Sequence, residues 1–316
     1  LGWNFQIHNL SIHQDNRELF MNSNSLQLVE RSRLTSAFSS IREFGLFLSG
    51  NFRLNGQGSY LRPYFVLTNG DGINNFDKDL GGLKIGGRID FLPFGLFTNN
   101  GQFRQIDVMR ELTPKFVIGV NYSHNSGISS RRGRNSGSIL YLNELGQQSL
   151  PDYTKYGIDF LFKYNGFSAL GEYVKSSSTV PTDIIERVRN DGSTSSSFLV
   201  NGVQDIESYV NGRMMLGEAY NIQMGYLFKS GITIDSRYTH LKADDNSFLN
   251  NATFYNRPNY YTLGIGKLLG RNYGAKIQGS ITLVDGSLGV NHDNDTATDV
   301  VFKDELLFRL ITTISF

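Results

Sequence analysis

The last ten residues of the chain alternate between two chemistries with a period of two. Phe308, Leu310, Thr312, Ile314 and Phe316 fall on one side of an extended strand, and Leu307, Arg309, Ile311, Thr313 and Ser315 on the other. Successive side chains of a strand point to opposite faces. One face of this segment therefore suits an apolar layer, while the other carries an arginine that needs water or a partner. Few architectures offer a single strand both surroundings, and a sheet with lipid on one side and a wet interior on the other is one of them.

Composition narrows the choice. Among 316 residues there are 34 Gly, 23 Phe and 16 Tyr, against 6 Pro and 1 Trp. That balance favours strands and turns rich in aromatics. Mean hydropathy is -0.27, and no stretch approaches the roughly 20 apolar residues of a membrane helix. A formal charge of +1, from 30 basic and 29 acidic residues, argues against nucleic acid as a partner. The absence of cysteine excludes disulfides and thiolate metal sites. No basic start followed by an apolar run precedes Leu1, so any export signal is expected to have been removed or to lie outside the chain.

Strand-like segments recur at 3–10, 44–53, 58–67, 83–92, 115–123, 155–164, 167–175, 218–228, 232–241, 259–268, 273–283 and 305–316. Each is close to the roughly 9–11 residues a tilted strand needs to cross an apolar layer. Tight links at 54–57, 165–166, 229–231 and 269–272 hold Gly or Asn, as hairpin turns require. They alternate with long polar links at 11–43, 68–82, 124–154, 176–217, 242–258 and 284–304. The link 93–114 breaks this rule by being long on the short-turn side.

Within 155–164, Tyr156, Ile158, Phe160, Phe162 and Tyr164 oppose Lys155, Gly157, Asp159, Leu161 and Lys163. Within 218–228, Tyr220, Ile222, Met224, Tyr226 and Phe228 oppose Asn221, Gln223 and Gly225; within 83–92, Leu83, Ile85, Ile89 and Phe91 oppose Lys84, Arg88 and Asp90. A soluble antiparallel sheet with one buried face shows the same period. Hairpin asymmetry and aromatics at both ends of the apolar stripes tip the balance toward an all-β, transmembrane, antiparallel up-and-down β-barrel. The chain reads as one domain over 1–316, with about 12 strands. The final alternating strand that closes on Phe316 also resembles the carboxy-terminal signature of Gram-negative outer-membrane barrels.

The link 11–43 is too long and too charged for a simple connector, and we expect it to fold inward as a constriction. It contains Leu26, Gln27, Leu28, Val29, Glu30, Arg31 and Ser32, then Ala37 and Phe38, then Arg42, Glu43, Phe44 and Gly45 at the next strand. Two further runs follow: Leu61-Arg62-Pro63-Tyr64-Phe65-Val66-Leu67-Thr68-Asn69-Gly70-Asp71-Gly72 and Arg88-Ile89-Asp90-Phe91-Leu92-Pro93-Phe94-Gly95. In these motifs the sequence resembles the phosphate-selective porin O/P family. The resemblance implies a barrel of about 16 strands, usually trimeric, with a loop folded into the lumen and arginines narrowing it. It implies too that about four strands precede those visible here, so the chain is expected to be incomplete.

An anion pathway needs cations aimed into a confined aqueous lumen, and guanidinium groups suit phosphate through planar paired hydrogen bonds. Strand parity places Arg62, Lys84, Arg88, Lys155, Lys163, Arg237, Lys276 and Arg309 inside, and the inward link adds Arg31, Arg33 and Arg42. For any one of these a role in merely solvating the wall is the commoner outcome. Asp90, Asp159, Glu172 and Asp235 share the inner face and dilute a positive field, while Glu30 and Glu43, beside the loop arginines, are expected to pair with them as clamps. Arg131, Arg132 and Arg134 form a basic loop tip suited to anions or lipopolysaccharide phosphates, or to solvent alone. The acidic groups Asp71, Asp77, Asp79 and Asp293, Asp295, Asp299 do not follow calcium-loop spacing. His8, His13, His124, His240 and His292 are scattered, so no catalytic residue is assigned, and no metal or cofactor is expected. The expected function is passive diffusion of small hydrophilic solutes across the outer membrane of a Gram-negative bacterium, with a modest preference for anions such as phosphate. The expected partners are outer-membrane lipid and lipopolysaccharide, small anionic solutes and two further copies in a homotrimer. The alternatives are a non-conducting barrel that anchors or scaffolds an envelope assembly, and an outer-membrane hydrolase using His124 or His240.

Overall fold

The structure, a computed structural model, describes residues 2–8, 15–39, 43–54, 58–70, 82–129, 140–189, 191–250, 257–270, 272–285, 288–290, 299–301 and 304–315. Arg42, Arg131, Arg132, Arg134, Asp71, Asp77, Asp79, Asp293, Asp295, His13, His292 and Phe316 lie outside the described residues.

Alternating sequence gives alternating strands. Twelve of them form one sheet: β1 Gly2–His8, β2 Gly45–Arg53, β3 Tyr60–Thr68, β4 Lys84–Leu92, β5 Lys115–Asn125, β6 Asp152–Tyr164, β7 Phe167–Thr179, β8 Gly217–Leu227, β9 Ile232–Ala243, β10 Asn259–Leu268, β11 Ala275–Val284 and β12 Glu305–Ile314. Each pairs antiparallel with the next in chain order, from β1 to β12. The expected strands are thus present in the expected order. The sheet is open, with β1 and β12 as its edges, and no pairing among the described residues closes it. No described helix is long and apolar enough to cross a membrane.

Turn chemistry fixes the register. Between β6 and β7, Asn165 and Gly166 both have positive φ (49° and 90°), the conformation of a two-residue turn whose twist matches that of its strands. Tyr164 therefore pairs with Phe167 and Asp159 with Glu172. Because pairing partners share a face, one row of polar positions crosses the sheet: Arg62, Asp90, Gly119, Asp159, Glu172, Asn221 and Thr239.

Strands flanking the long links run further than apolar periodicity indicates. β6 begins at Asp152 and β7 continues through Ser176, Ser177, Ser178 and Thr179, with Asp152 opposite Thr179. Backbone hydrogen bonds carry the ladder past the point where apolar side chains stop. The links beyond are also structured. Short strands Tyr141–Leu142, Glu186–Val188 and Thr194–Ser195 make a small sheet, and Leu199–Val200 pairs with Val203–Gln204 across Asn201 and Gly202. Ile128, Tyr141, Tyr153, Ile184, Phe198, Tyr209, Val210, Met214 and Leu216 give this cap its own apolar core.

The cap contains a short helix, Ile206–Asn211, whose first turn is closed by Asp205: the Ser208 amide donates to Asp205 Oδ1 at 3.0 Å. Bonds from Ser208, first its side chain and then its amide, hold the Asp205 carboxyl below the usual carboxylate range. A depressed pKa means that this stabilisation is present above the unfolded value of about 3.9 and fades as pH falls through the lower folded value. Protection of the amides over 206–211, taken relative to intrinsic exchange at each pH, is expected to fall below about pH 4, and an Asp205→Ala variant to show the lower protection at neutral pH as well. Equal exchange in variant and parent at neutral pH would contradict the cap.

Candidate functional site

The two faces of the twelve-stranded sheet have opposite chemistry, and the polar one is the covered one. On the bare face Ile85, Ile89, Val120, Ile158, Ile222, Met224, Ile234, Leu263, Ile265 and Leu310 are exposed, Leu263 to 63% and Ile265 to 62%. On the covered face Lys84, Arg88, Asp90, Asn121, Lys155, Asp159, Lys163, Glu172, Asn221, Gln223, Asp235, Arg237, Lys276 and Gln278 are buried, Arg88 and Asp159 to 2%. A soluble sheet is arranged the other way round.

Aromatic rings edge the bare face in two bands. Toward the long links Tyr122 pairs with Tyr156, Tyr173 with Tyr220 and Tyr238 with Tyr261, and the last two rings stack 4.9 Å apart. Toward the tight turns Tyr164 pairs with Phe167, and Phe167 with Tyr226. Tyr156 and Tyr164 are eight positions apart on β6, about 26 Å along the strand and about 20 Å across a layer at a typical barrel tilt.

Two segments cover the polar face. The first, within the expected 11–43, includes helix α1 at Arg33–Phe38, opened by Ser32, whose Oγ accepts from the Thr35 amide at 3.2 Å. The second is 93–114, whose anomalous length on the short-turn side was the visible sign of its role. The Asn22 amide donates to the Phe103 carbonyl at 3.1 Å, the Ile106 amide to the Ser25 carbonyl at 3.1 Å, and the Gln27 amide to Gln105 Oε1 at 2.9 Å. Below the sheet Tyr273 donates to the Ile106 carbonyl at 2.7 Å, with Arg104 4.5 Å from its ring centre. Burial pushes the Tyr273 phenol up to about 12, so it remains a donor throughout the physiological range.

A charge network fastens the first segment to the wall. Arg17 donates from Nε to Asp159 Oδ1 and from Nη2 to Asp90 Oδ1, both at 2.8 Å. Arg88 reaches Asp90 Oδ1 at 2.8 Å, Asp159 Oδ2 at 2.7 Å and the Asp15 carbonyl at 2.8 Å. Lys155 pairs with Asp15 and donates to the Phe38 carbonyl at 3.1 Å. The row leaves room for this only because position 119 is glycine: a Cβ there would fall on Arg88 Nη2 and Asp90 Oδ1. Beside the network Glu18 accepts from the Ser32 amide and Thr35 Oγ1, each at 2.7 Å, and from Gln105 at 3.0 Å. Glu172 accepts from Asn16 at 2.9 Å and from the Glu18 amide at 2.6 Å.

The cations expected to line a pore are therefore placed as follows. Lys84, Arg88, Lys155, Lys163, Arg237 and Lys276 lie on the covered face, as strand parity indicates. Their donors reach protein acceptors: Lys84 to Glu43 at 2.7 Å, Lys163 to the Gly101 carbonyl at 3.0 Å, Lys276 to the Leu26 carbonyl at 2.7 Å and Arg237 to the Glu30 carbonyl at 2.8 Å. Arg62 lies 5.0 Å from the Phe103 ring centre, and Arg31 donates to the Met21 carbonyl at 2.7 Å. Both expected clamps reach strand residues: Glu43 holds Lys84, its neighbour Arg42 lying outside the described residues, and Glu30 holds Arg309. Arg17 and Asp15, which anchor the segment, were not singled out by sequence; they lie amid polar residues with no apolar rhythm to place them.

A cavity with a largely polar lining lies on the covered face. It holds about 640 Å³ between α1 and strands β9 to β12, and Arg31, Arg33, Arg237, Arg257, Arg309 and Glu30 all line it. Thr239, Thr262 and Thr282 add hydroxyls from three adjacent strands. Four of the expected cations thus meet here, together with Arg257, which sequence parity had not placed. Against known proteins, no family model matches the chain and no curated protein matches its sequence. Of the described histidines, His124 places Nδ1 2.9 Å from Thr154 Oγ1 and Nε2 3.9 Å from Asp152, while His240 contacts Asn259 at 2.9 Å.

Breaking one half of a buried ion pair strands the other, at about 3–5 kcal/mol. Arg88→Ala and Asp159→Ala are each expected to destabilise by that order in denaturant unfolding from detergent. The double variant should fall short of the sum by about 1–3 kcal/mol. A strictly additive double variant would refute the fastening role.

Proposed function

We propose that the sheet is the wall of a transmembrane β-barrel in the outer membrane of a Gram-negative bacterium, and that the barrel is a porin for small hydrophilic solutes with a preference for anions. The observation that carries this reading is the inverted burial of the two faces. The ten large apolar side chains are each about half exposed or more, and leaving them so in water forgoes roughly 8–16 kcal/mol of burial, as much as the roughly 5–15 kcal/mol that holds an ordinary domain together. Acyl chains remove that penalty. Two aromatic bands about 20 Å apart suit the two interfaces of such a layer, where amphipathic rings settle. The open edges of β1 and β12 would then pair with further strands, consistent with the 16-strand barrel that the porin O/P resemblance implies.

Anion preference is supported by the cavity, which five arginines line; three of them are paired, Arg309 with Glu30, Arg257 with Glu305 and Arg237 with Glu18. Guanidinium groups around a confined wet space lower the barrier for oxyanions such as phosphate and raise it for cations. A homotrimer and contacts with lipopolysaccharide belong to the same reading. A second reading, a non-conducting envelope anchor, draws on the filled covered face and on the independently packed loop cap.

Recording from the full-length protein in planar bilayers separates the two. Stepwise channels are expected, with a reversal potential displaced toward that of the anion in a potassium chloride gradient. Silence, or a displacement toward the cation, would overturn the anion-porin reading; silence with a stoichiometric co-purifying protein would favour the anchor.

A further inference from the structure

The ion pairs that fasten the covering segment are not alike. Arg17–Asp90, Arg17–Asp159, Arg88–Asp90, Arg88–Asp159, Lys155–Asp15 and Lys84–Glu43 are all shut away from solvent, with side chains no more than 6% exposed. Glu30–Arg309 differs: its side chains are 43% and 39% exposed, and it opens onto the arginine-lined cavity. Separating a buried pair costs several kcal/mol, whereas an exposed pair is worth about 0–1 kcal/mol. Glu30 is thus a carboxylate that contacts a cavity arginine yet can leave it cheaply. Its backbone stays behind when it does, because Arg237 Nη1 holds the Glu30 carbonyl at 2.8 Å. Among the residues lining the cavity, Glu30 is the acidic one; Arg257, across the space, is paired with Glu305 at 2.6 Å.

We infer that Glu30 is a built-in competing anion, occupying through Arg309 an oxyanion subsite that an entering carboxylate or phosphate group takes over by displacing it. This rests on the anion-porin reading and sharpens it, for Glu30 then sets which anions use the route. A monovalent ion that binds Arg309 no better than a carboxylate exchanges with Glu30 and moves on. An oxyanion with two oxygens for the guanidinium fork competes better, and neighbouring Arg31 and Arg237 favour a second negative charge. At about 640 Å³ the space has room for roughly 20 water volumes, so small organic oxyanions fit as well as inorganic ones.

The test compares the parent protein with Glu30→Gln, which keeps the side chain's size and removes its charge, and with Arg309→Gln. Two readouts are taken on full-length protein. One is block of single-channel chloride current by inorganic phosphate; the other is equilibrium binding of phosphate to the detergent-solubilised protein, which needs no open pore. Removing the competitor is expected to lower both the half-blocking and the half-saturating phosphate concentrations by about fivefold, the value of an exposed pair. Arg309→Gln is expected to raise both. Unchanged binding and block in Glu30→Gln, with Arg309→Gln still weakening them, would overturn the competing-anion role. If the parent protein carries no current, the porin reading fails, and phosphate binding alone decides the subsite: tighter in Glu30→Gln sustains it, unchanged or absent overturns it.

Discussion

Ionisable side chains on one face of a sheet must be wetted or paired, and meeting that requirement organises this molecule. Period-two alternation places Arg88, Asp90, Lys155, Asp159, Glu172 and Lys276 on a single face of a twelve-stranded sheet. That face takes its partners from two segments of the same chain. Arg17 and Asp15 complete the central charges, and main-chain carbonyls at Leu26, Glu30 and Gly101 receive the outlying cations. Polar groups removed from bulk water are costly unless they are satisfied, so the covering segments are held by the demands of the wall as much as by their own structure. The charges cancel locally, which makes the centre of this face a fastening. Among the described residues, arginines gather toward β9 to β12, beside α1.

The bare face poses the complementary problem. Its Ile, Leu, Val and Met side chains are exposed, and aromatic bands mark its upper and lower limits. Both faces follow from the same alternation, yet neither surrounding suits the other set of residues. A one-residue slip in any strand would put a charged row against the apolar surroundings and an apolar row against the charge network. Tight turns such as Asn165–Gly166 matter for this reason, since they set the pairing that keeps Asp159 in line with Asp90 and Glu172.

Much of this architecture was legible in the sequence because it depends on local rules. Strand order, approximate strand limits, face parity and the Asn-Gly turn all follow from periodicity and turn chemistry at positions close in the chain. The length and charge of the link 11–43 set it apart from a simple connector, and its described part, 15–39, packs on the polar face of the sheet. Pairings between distant positions were not legible. Glu30 looked like a partner for its neighbour Arg31 yet reaches Arg309, a residue 279 positions away, and Glu43 reaches Lys84. Arg17 carries no periodic signal, and only its meeting with Asp90 and Asp159 shows what it does. The loop cap was equally hidden, because short strands such as Tyr141–Leu142 and Glu186–Val188 are held by contacts across long separations.

The chain has no cysteine, so single cysteines can be introduced and spin-labelled without background. Labels at Ile158, Ile222 and Ile234 on the bare face, and at Ser36, an exposed residue that lines the cavity, would be read in reconstituted bilayers for collision with oxygen and with a water-soluble nickel chelate. If the bare face meets acyl chains, the three isoleucine sites favour oxygen strongly over nickel, and the Ser36 site favours nickel. Nickel-accessible or protein-immobilised labels at the isoleucine sites would contradict the membrane assignment and the transport function built on it.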